Sequence, residues 1–525
     1  MKTSKKMLSL LLIAAMLVSV LCMGVSASDT TFEPVSISEG EPVKIVWSGT
    51  TGTVVNVDGG TYIPASFLLW VEGTSTVTVG TTAVTASMTN TGNNGYVIPV
   101  GSTAQTITVN ITESSMGAVG TYTITCPAQS GTAPTSIVKT VEGYLPVGQF
   151  ARGTGWGTAT GKFTTSGYES TGVSLGAAGG YIQMDLASPI YDLATNKYGV
   201  DFVVYGNAFN GNPEAGAVKV FGYKAGDTTG AWYDLAGSLY YDSISKNNAT
   251  VSYKKVTTTD STFAETGIWY KINNGSWTKF TSNTAWWPDT TKGYGDTWGS
   301  VDGVTWDQTN DIITYTGVSL VKDTDTTNDY QFGYFDVHVN GSDYGATLNP
   351  YTVTNADKCG DGFDIAWAVD SNGAPAGLSY ITKVRVYTAA ALTSDGKKFT
   401  TPSIFGETSA EFCGLFKATG TGAGTTTSVN AATLSVTGVT APTLATTITD
   451  ANTYTVEADS DIFISFSGLD GYTIFVDENS GTGSASKKVT LSEDDEQVIR
   501  IIAKDASTGN PYIGYLKLVG ARPEE

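Results

Sequence analysis

Seven of the eleven tryptophans in this chain fall between Trp232 and Trp306. Six of them, Trp269, Trp277, Trp286, Trp287, Trp298 and Trp306, are interleaved with Asn, Asp, Gly and Tyr. Tryptophan joins a flat apolar face to a polar N–H edge. Exposed, such a ring stacks on the apolar face of a sugar while neighbouring Asn and Asp take the hydroxyls. Buried, it is core. Trp286 and Trp287 are adjacent and precede Pro288. Side chains alternate across an extended run, so one ring of the pair is expected outside and the other inside.

A second pattern is acidic. Asp361-Gly362-Phe363-Asp364 and Asp370-Ser371-Asn372-Gly373 set hard oxygen ligands beside glycines that let the backbone turn. Asp361, Asp364, Asp370 and Asn372 are therefore candidate calcium ligands, although their spacing is not that of the twelve-residue EF-hand loop. The competing reading is a pair of turns in which Asp and Asn bond their own backbone. His338 is the only histidine, which excludes a multi-histidine zinc site and leaves one choice for a Ser-His-Asp arrangement. It sits in the strand-like run Phe335-Asp336-Val337-His338-Val339. A single axial ligand to a corrinoid or haem metal is the chemistry still open to it. Glycoside hydrolysis needs two carboxylates at a fixed separation, but 49 acidic residues do not single out a pair. No catalytic residue is assigned.

These residues need a scaffold, and the composition describes one. The chain is rich in Thr, Ser, Gly, Asn and aromatic residues and low in charge density, as turn-rich β structure is. Residues 1–27 read as a secretory signal peptide. Lys2, Lys5 and Lys6 lead, an apolar stretch from Leu8 to Val20 follows, and Val25-Ser26-Ala27 is a small-residue cleavage site. The mature chain is expected to start at Ser28 and to be secreted, or held at a cell surface, with no transmembrane segment. Removing three lysines takes the net charge from −20 to −23, which disfavours nucleic acid and anionic membranes as partners. The remaining cysteines are Cys126, Cys359 and Cys413. In an oxidising compartment Cys359 and Cys413 are the expected disulfide.

Short alternating runs divide the chain. Val43 to Trp47 and Thr106 to Ile111 belong to a first sandwich over residues 28–140. There, Gly120 to Cys126 resembles the late strand of an immunoglobulin-like domain, with its Tyr four residues before the Cys. A central region, 141–417, contains Val200 to Tyr205, Ala217 to Phe221 and Ile381 to Tyr387. It shows no convincing amphipathic helix longer than about ten residues. A Gly/Thr linker, 418–428, leads to a last sandwich at 429–525 with runs at Asp461 to Phe466, Tyr472 to Val476, Val498 to Ile502 and Tyr515 to Val519. The expected fold is all-β in three domains: a large jelly-roll-like or similar central sandwich flanked by two immunoglobulin-like sandwiches.

The central region carries ordered motifs from about 174 to 411: Ser174 to Gly180 (SLGAAGG), Asp201 to Phe209 (DFVVYGNAF), Trp232 to Ser238 (WYDLAGS), Gly362 to Asp370 (GFDIAWAVD), Lys383 to Ala389 (KVRVYTA) and Gly406 to Glu411 (GETSAE). In these it resembles a poorly characterised family of bacterial cell-surface proteins with accessory immunoglobulin-like modules. The resemblance implies an exported, multidomain surface protein, and for some relatives surface capture of nutrients such as corrinoids. The chain departs from the pattern at Asn212-Pro213-Glu214-Ala215-Gly216, where Glu-Pro-Gly is expected, so no role of that loop carries over. The function expected from all this is binding of an extracellular glycan or cell-surface polymer by the central domain. The alternatives are a carboxylate-based hydrolase or lyase, and capture of a corrinoid or other tetrapyrrole nutrient. Calcium is the one cofactor foreseen.

Overall fold

The computed structural model describes residues 34–522, apart from 132–135, 150–155, 194–199, 209–212, 290–300, 324–329, 338–359, 401–407, 419–431, 446–450, 506–510 and some shorter stretches. The protein is all-β, as expected, with one ten-residue helix, Trp156–Thr165, among the described residues. Among the described residues, three large apolar cores run through it, with two smaller clusters where they meet.

The first core lies between a four-stranded and a six-stranded sheet. In the six-stranded sheet Gly120–Cys126 pairs antiparallel with Gln105–Glu113 and parallel with Thr51–Asn56. Tyr122 donates its hydroxyl back to Ala118 O at 3.1 Å, a local tie like that of a tyrosine corner. Cys126 is buried at the end of this strand, and burial pushes its thiol up to about 11. The last core lies between the three-stranded sheet Thr433–Val436, Ile462–Ser467, Ser484–Val489 and a five-stranded sheet centred on Glu496–Asp505 and Pro511–Ala521.

The central region is built from three sheets rather than two. A six-stranded sheet runs Val138–Leu145, Tyr181–Tyr191, Leu378–Thr388, Gly216–Lys224, Ala231–Leu235, Ala368–Val369. A four-stranded sheet runs Tyr168–Ser174, Glu411–Lys417, Phe202–Tyr205, Asp361–Phe363. The third runs Thr278–Thr281, Gly267–Ile272, Lys246–Val256, Ile312–Lys322, Val304–Asp307. This third sheet, spanning the Trp-rich stretch, is the element that a two-sheet sandwich lacks. Its inner face is bolted to the rest by buried tyrosines: Tyr253 donates to Ala178 O and Tyr315 to Leu145 O, both at 2.8 Å. The Tyr270 hydroxyl accepts Phe399 N at 2.8 Å, and the two rings stack 4.0 Å apart.

Both flanking sandwiches pack against the centre. Leu68 and Trp70 meet Tyr191, Tyr223 and Tyr380. Glu41 lies buried beside this seam, its carboxylate accepting Leu68 N at 2.8 Å. On the other side Phe475 and Ile502 join Val200, Val203 and Tyr205 in one cluster, and the Trp367 indole donates to the buried Tyr515 hydroxyl at 2.9 Å. The 418–428 linker lies, except for Ala418, outside the described residues.

Candidate functional site

The third sheet of the central region decides what the tryptophans do. Register across it places Tyr270, Tyr253, Ile313 and Trp306 in one row, and Trp269, Lys254, Ile312 and Asp307 in the next. Adjacent rows face opposite sides of a sheet. The first row is the core side, where Tyr270, Tyr253 and Ile313 are buried. The second row faces outward. Trp269 is half-buried there, and its indole donates to Glu265 O at 3.2 Å. Trp277, also half-buried, stands in the hairpin loop before Thr278–Thr281.

The local sequence builds this strip. Asp260 accepts the backbone N–H groups of Thr262 and Phe263 at 2.6 and 2.8 Å, which fixes the loop that delivers Phe263. The buried Phe263 ring then meets both tryptophans edge-on, Trp269 at 5.4 Å and Trp277 at 5.9 Å between centroids. Such contacts contribute about 0.5–1.5 kcal/mol each beyond area burial, so the rings are held in place while part of each stays open. Gly267, at φ +144°, begins the strand; a Cβ there would come within 2.3 Å of Thr281 O. Asn273, at φ +51°, closes the hairpin and accepts Thr250 N at 2.8 Å. Lys271 lies over Trp277 at 5.1 Å and Lys254 over Phe263 at 5.8 Å.

The expectation for the adjacent pair is corrected. Trp286 and Trp287 are both buried, 8% and 7% exposed. The run is not extended: Asn283 accepts Ala285 N at 3.1 Å and caps the 3-10 helix Thr284–Trp286. Side chains along such a turn do not alternate between two faces, and Trp286 packs edge-on to Phe280 at 6.0 Å. Trp306 is half-buried against the core, with its indole N–H enclosed and without a hydrogen-bond partner among the described residues. Trp298 lies outside the described residues. The outward strip thus unites Trp269 and Trp277 of the six.

The acidic residues also regroup. Asp364 does not meet Asp370 or Asn372. Asp361 opens and Asp364 follows the strand Asp361–Phe363, which pairs with Phe202–Tyr205 in the four-stranded sheet, whereas Asp370 follows Ala368–Val369, which pairs with Ala231–Leu235 in the six-stranded one. Asp370 accepts Asn372 N and Ala374 N at 2.8 and 3.0 Å and closes its own turn. Asp361 is buried on its strand opposite Val204. Asp364 instead joins Asp192 and Asp201, each offering a carboxylate oxygen within 4.8 Å of the others. Asp201 accepts Ile365 N at 2.8 Å and Leu193 N at 3.2 Å; Asp364 caps the next 3-10 turn through Ala366 N at 2.8 Å. Burial pushes Asp192 up to about 6, and burial with neighbouring acids pushes Asp201 and Asp364 well above the usual range. Three carboxyl groups this close inside a protein share protons or a cation, and the buried Arg500 guanidinium already opposes the rise at Asp364.

A second group is Glu214, Asp336 and Glu411. Asp336, 1% exposed and at φ +61°, accepts Ala208 N and Glu411 N, both at 2.7 Å, and Asn207 N at 2.5 Å. Burial pushes Glu411 up, and Glu214 beside it adds to the rise. Asp336 here holds three backbone segments together. Sequence reasoning missed Asp192, Asp201, Asp336 and Glu411. The signal was an acid set in or ahead of an apolar run, as in Asp201 before Phe202-Val203-Val204-Tyr205, since a buried acid must find partners. His338, the one residue suited to a tetrapyrrole metal, lies outside the described residues, as does Cys359. Cys413, its expected partner, is buried in the strand Glu411–Lys417.

No family model matches the chain, and a comparison with curated proteins finds no match either. The motifs behind the resemblance to bacterial surface proteins are core elements: Leu175, Val203, Leu235, Trp367 and Val386 are all buried. Among the described residues no helix is long and apolar enough to cross a membrane.

Proposed function

We propose that this is a secreted or cell-surface binding protein whose central region recognises an extracellular glycan or surface polymer through the outward strip of Trp269 and Trp277. One observation carries the reading. Trp269, in the outward row of the sheet, and Trp277, in the adjoining hairpin loop, are both braced edge-on by a buried Phe263 and both only half-buried. Half-exposed aromatic rings held in place suit the apolar faces of sugars, and their rigidity limits the entropy lost on binding. The calcium foreseen from the sequence belongs, on this reading, at Asp192, Asp201 and Asp364. Calcium takes oxygen ligands and would relieve the repulsion among three enclosed carboxylates.

The test is retention of the full-length protein on a panel of insoluble and immobilised polysaccharides. Binding without turnover, lost in Trp269→Ala and Trp277→Ala, supports the proposal. Release of reducing sugar would favour the hydrolase alternative, and visible absorbance of protein from its native host the tetrapyrrole one. Retention on no polysaccharide would remove the proposal.

A further inference from the structure

Resting on the glycan reading of the same strip, we infer that the polymer it takes is acidic: a polysaccharide whose sugar rings carry carboxylates, as uronic acids do. The inference stands on charge. The chain holds 29 basic and 49 acidic residues. Around the strip lie three lysines, Lys254, Lys271 and Lys279, and three acids, Asp260, Glu265 and Asp307, a balance that the acidic chain as a whole does not have.

The positions of these groups matter more than their number. Of the acids, Glu265 pairs with Lys279, and Asp260 accepts backbone N–H groups of its own loop. Lys271 makes no ion pair among the described residues, and its ammonium lies 5.1 Å from the centre of Trp277. Lys254 spends one donor on Asn310 O at 2.9 Å, and Asp307 is the acid of its own row. The ammonium lies over the ring itself, so a sugar held against Trp277 meets it at close range. A uronate brings a carboxylate to pair with it there. The net charge of the protein repels any polyanion at long range. Selection of an acidic glycan must therefore come from Lys271 beside the ring, and it will weaken as salt rises.

The experiment uses the full chain, polygalacturonate, the same polymer after carboxyl reduction, and a glycerol-phosphate polymer, with affinity read by electrophoresis through polymer-containing gels. The expected result is retardation by polygalacturonate, at least five-fold weaker on the carboxyl-reduced polymer and weaker again at high salt. Lys271→Gln should lose about as much on polygalacturonate and nothing on the reduced form, with an unchanged melting curve. Equal retardation by the reduced polymer, an unaffected Lys271→Gln, or stronger binding to the phosphate polymer would overturn the inference while leaving the aromatic strip intact. Retardation that survives Trp269→Ala and Trp277→Ala, or none by any polymer, would overturn the strip as well.

Discussion

Trp269 and Trp277 on one side, and Trp286 and Trp287 on the other, stand within twenty residues of chain and share one side-chain chemistry. They differ in backbone. The first two belong to a hairpin at the edge of a sheet, where alternation and a tight Asn-Asn-Gly turn leave rings outside. The second two follow Asn283 into a 3-10 turn that folds both rings into the core. Residue type alone does not mark a recognition surface; the cap that starts a turn can decide it. The acids repeat the lesson. Asp370 and Asp364 sit six residues apart, yet one closes a surface turn and the other joins an enclosed triad.

The contrast can be broken by substitution, and the largest effect belongs to the buried pair. Trp286→Ala should cost about 3–5 kcal/mol of stability through cavity formation, measured by denaturant unfolding, and Trp287→Ala should behave alike. A loss under 1 kcal/mol in both would mean that the turn is not packed as described. Trp269→Ala and Trp277→Ala should cost little stability but weaken polysaccharide binding by roughly 1–3 kcal/mol, the size of an aromatic hot spot. Stability loss comparable to that of Trp286→Ala would place them with the core instead.

The enclosed triad gives a pH test. Asp192 has its folded pKa raised to about 6 from the ordinary 3.8, so the folded state binds protons more tightly than the unfolded one. Stability is then greatest at and below pH 4 as far as this group is concerned, and falls as pH rises towards 6. Asp201 and Asp364, shifted in the same direction, extend the fall to higher pH. In chelator, the melting temperature should decline over this range, and Asp192→Asn should flatten the decline. At neutral pH, added calcium should raise the melting temperature of the wild type by mass action but not that of Asp364→Asn. No calcium effect in metal-stripped wild-type protein would leave the triad proton-sharing and metal-free. The smallest effect is expected at Asp370→Ala. Losing a turn bond there should cost about 0.5–1.5 kcal/mol, with no change in the calcium response.

Much of the fold was legible because strands announce themselves by alternation. Val43 to Trp47 lies within the strand Val43–Ser48, and Thr106 to Ile111 within Gln105–Glu113. The Val498, Tyr472 and Tyr515 runs are likewise strands of one sheet. The third central sheet was not legible. Its strands read like any others, and only their pairing partners set them apart from the main sandwich. The candidate site divides the same way. The stretch with the tryptophans was visible in composition, whereas register turned Trp269 outward and the hairpin loop set Trp277 beside it.

The sequence by itself determined the class of the protein: all-β, with turn residues at the corners and aromatic residues gathered in one stretch. Those are local properties, carried by side-chain period and backbone preference. Tertiary structure alone decided which acids meet. Asp201 and the turn capped by Asp364 touch through Ile365, 164 residues away in the chain, and Asp336 reaches the backbone at Asn207 across 129 residues. Contacts at such separation depend on the order of strands in a sheet. That order follows from how all the apolar faces are buried together, and no short segment of the chain encodes it.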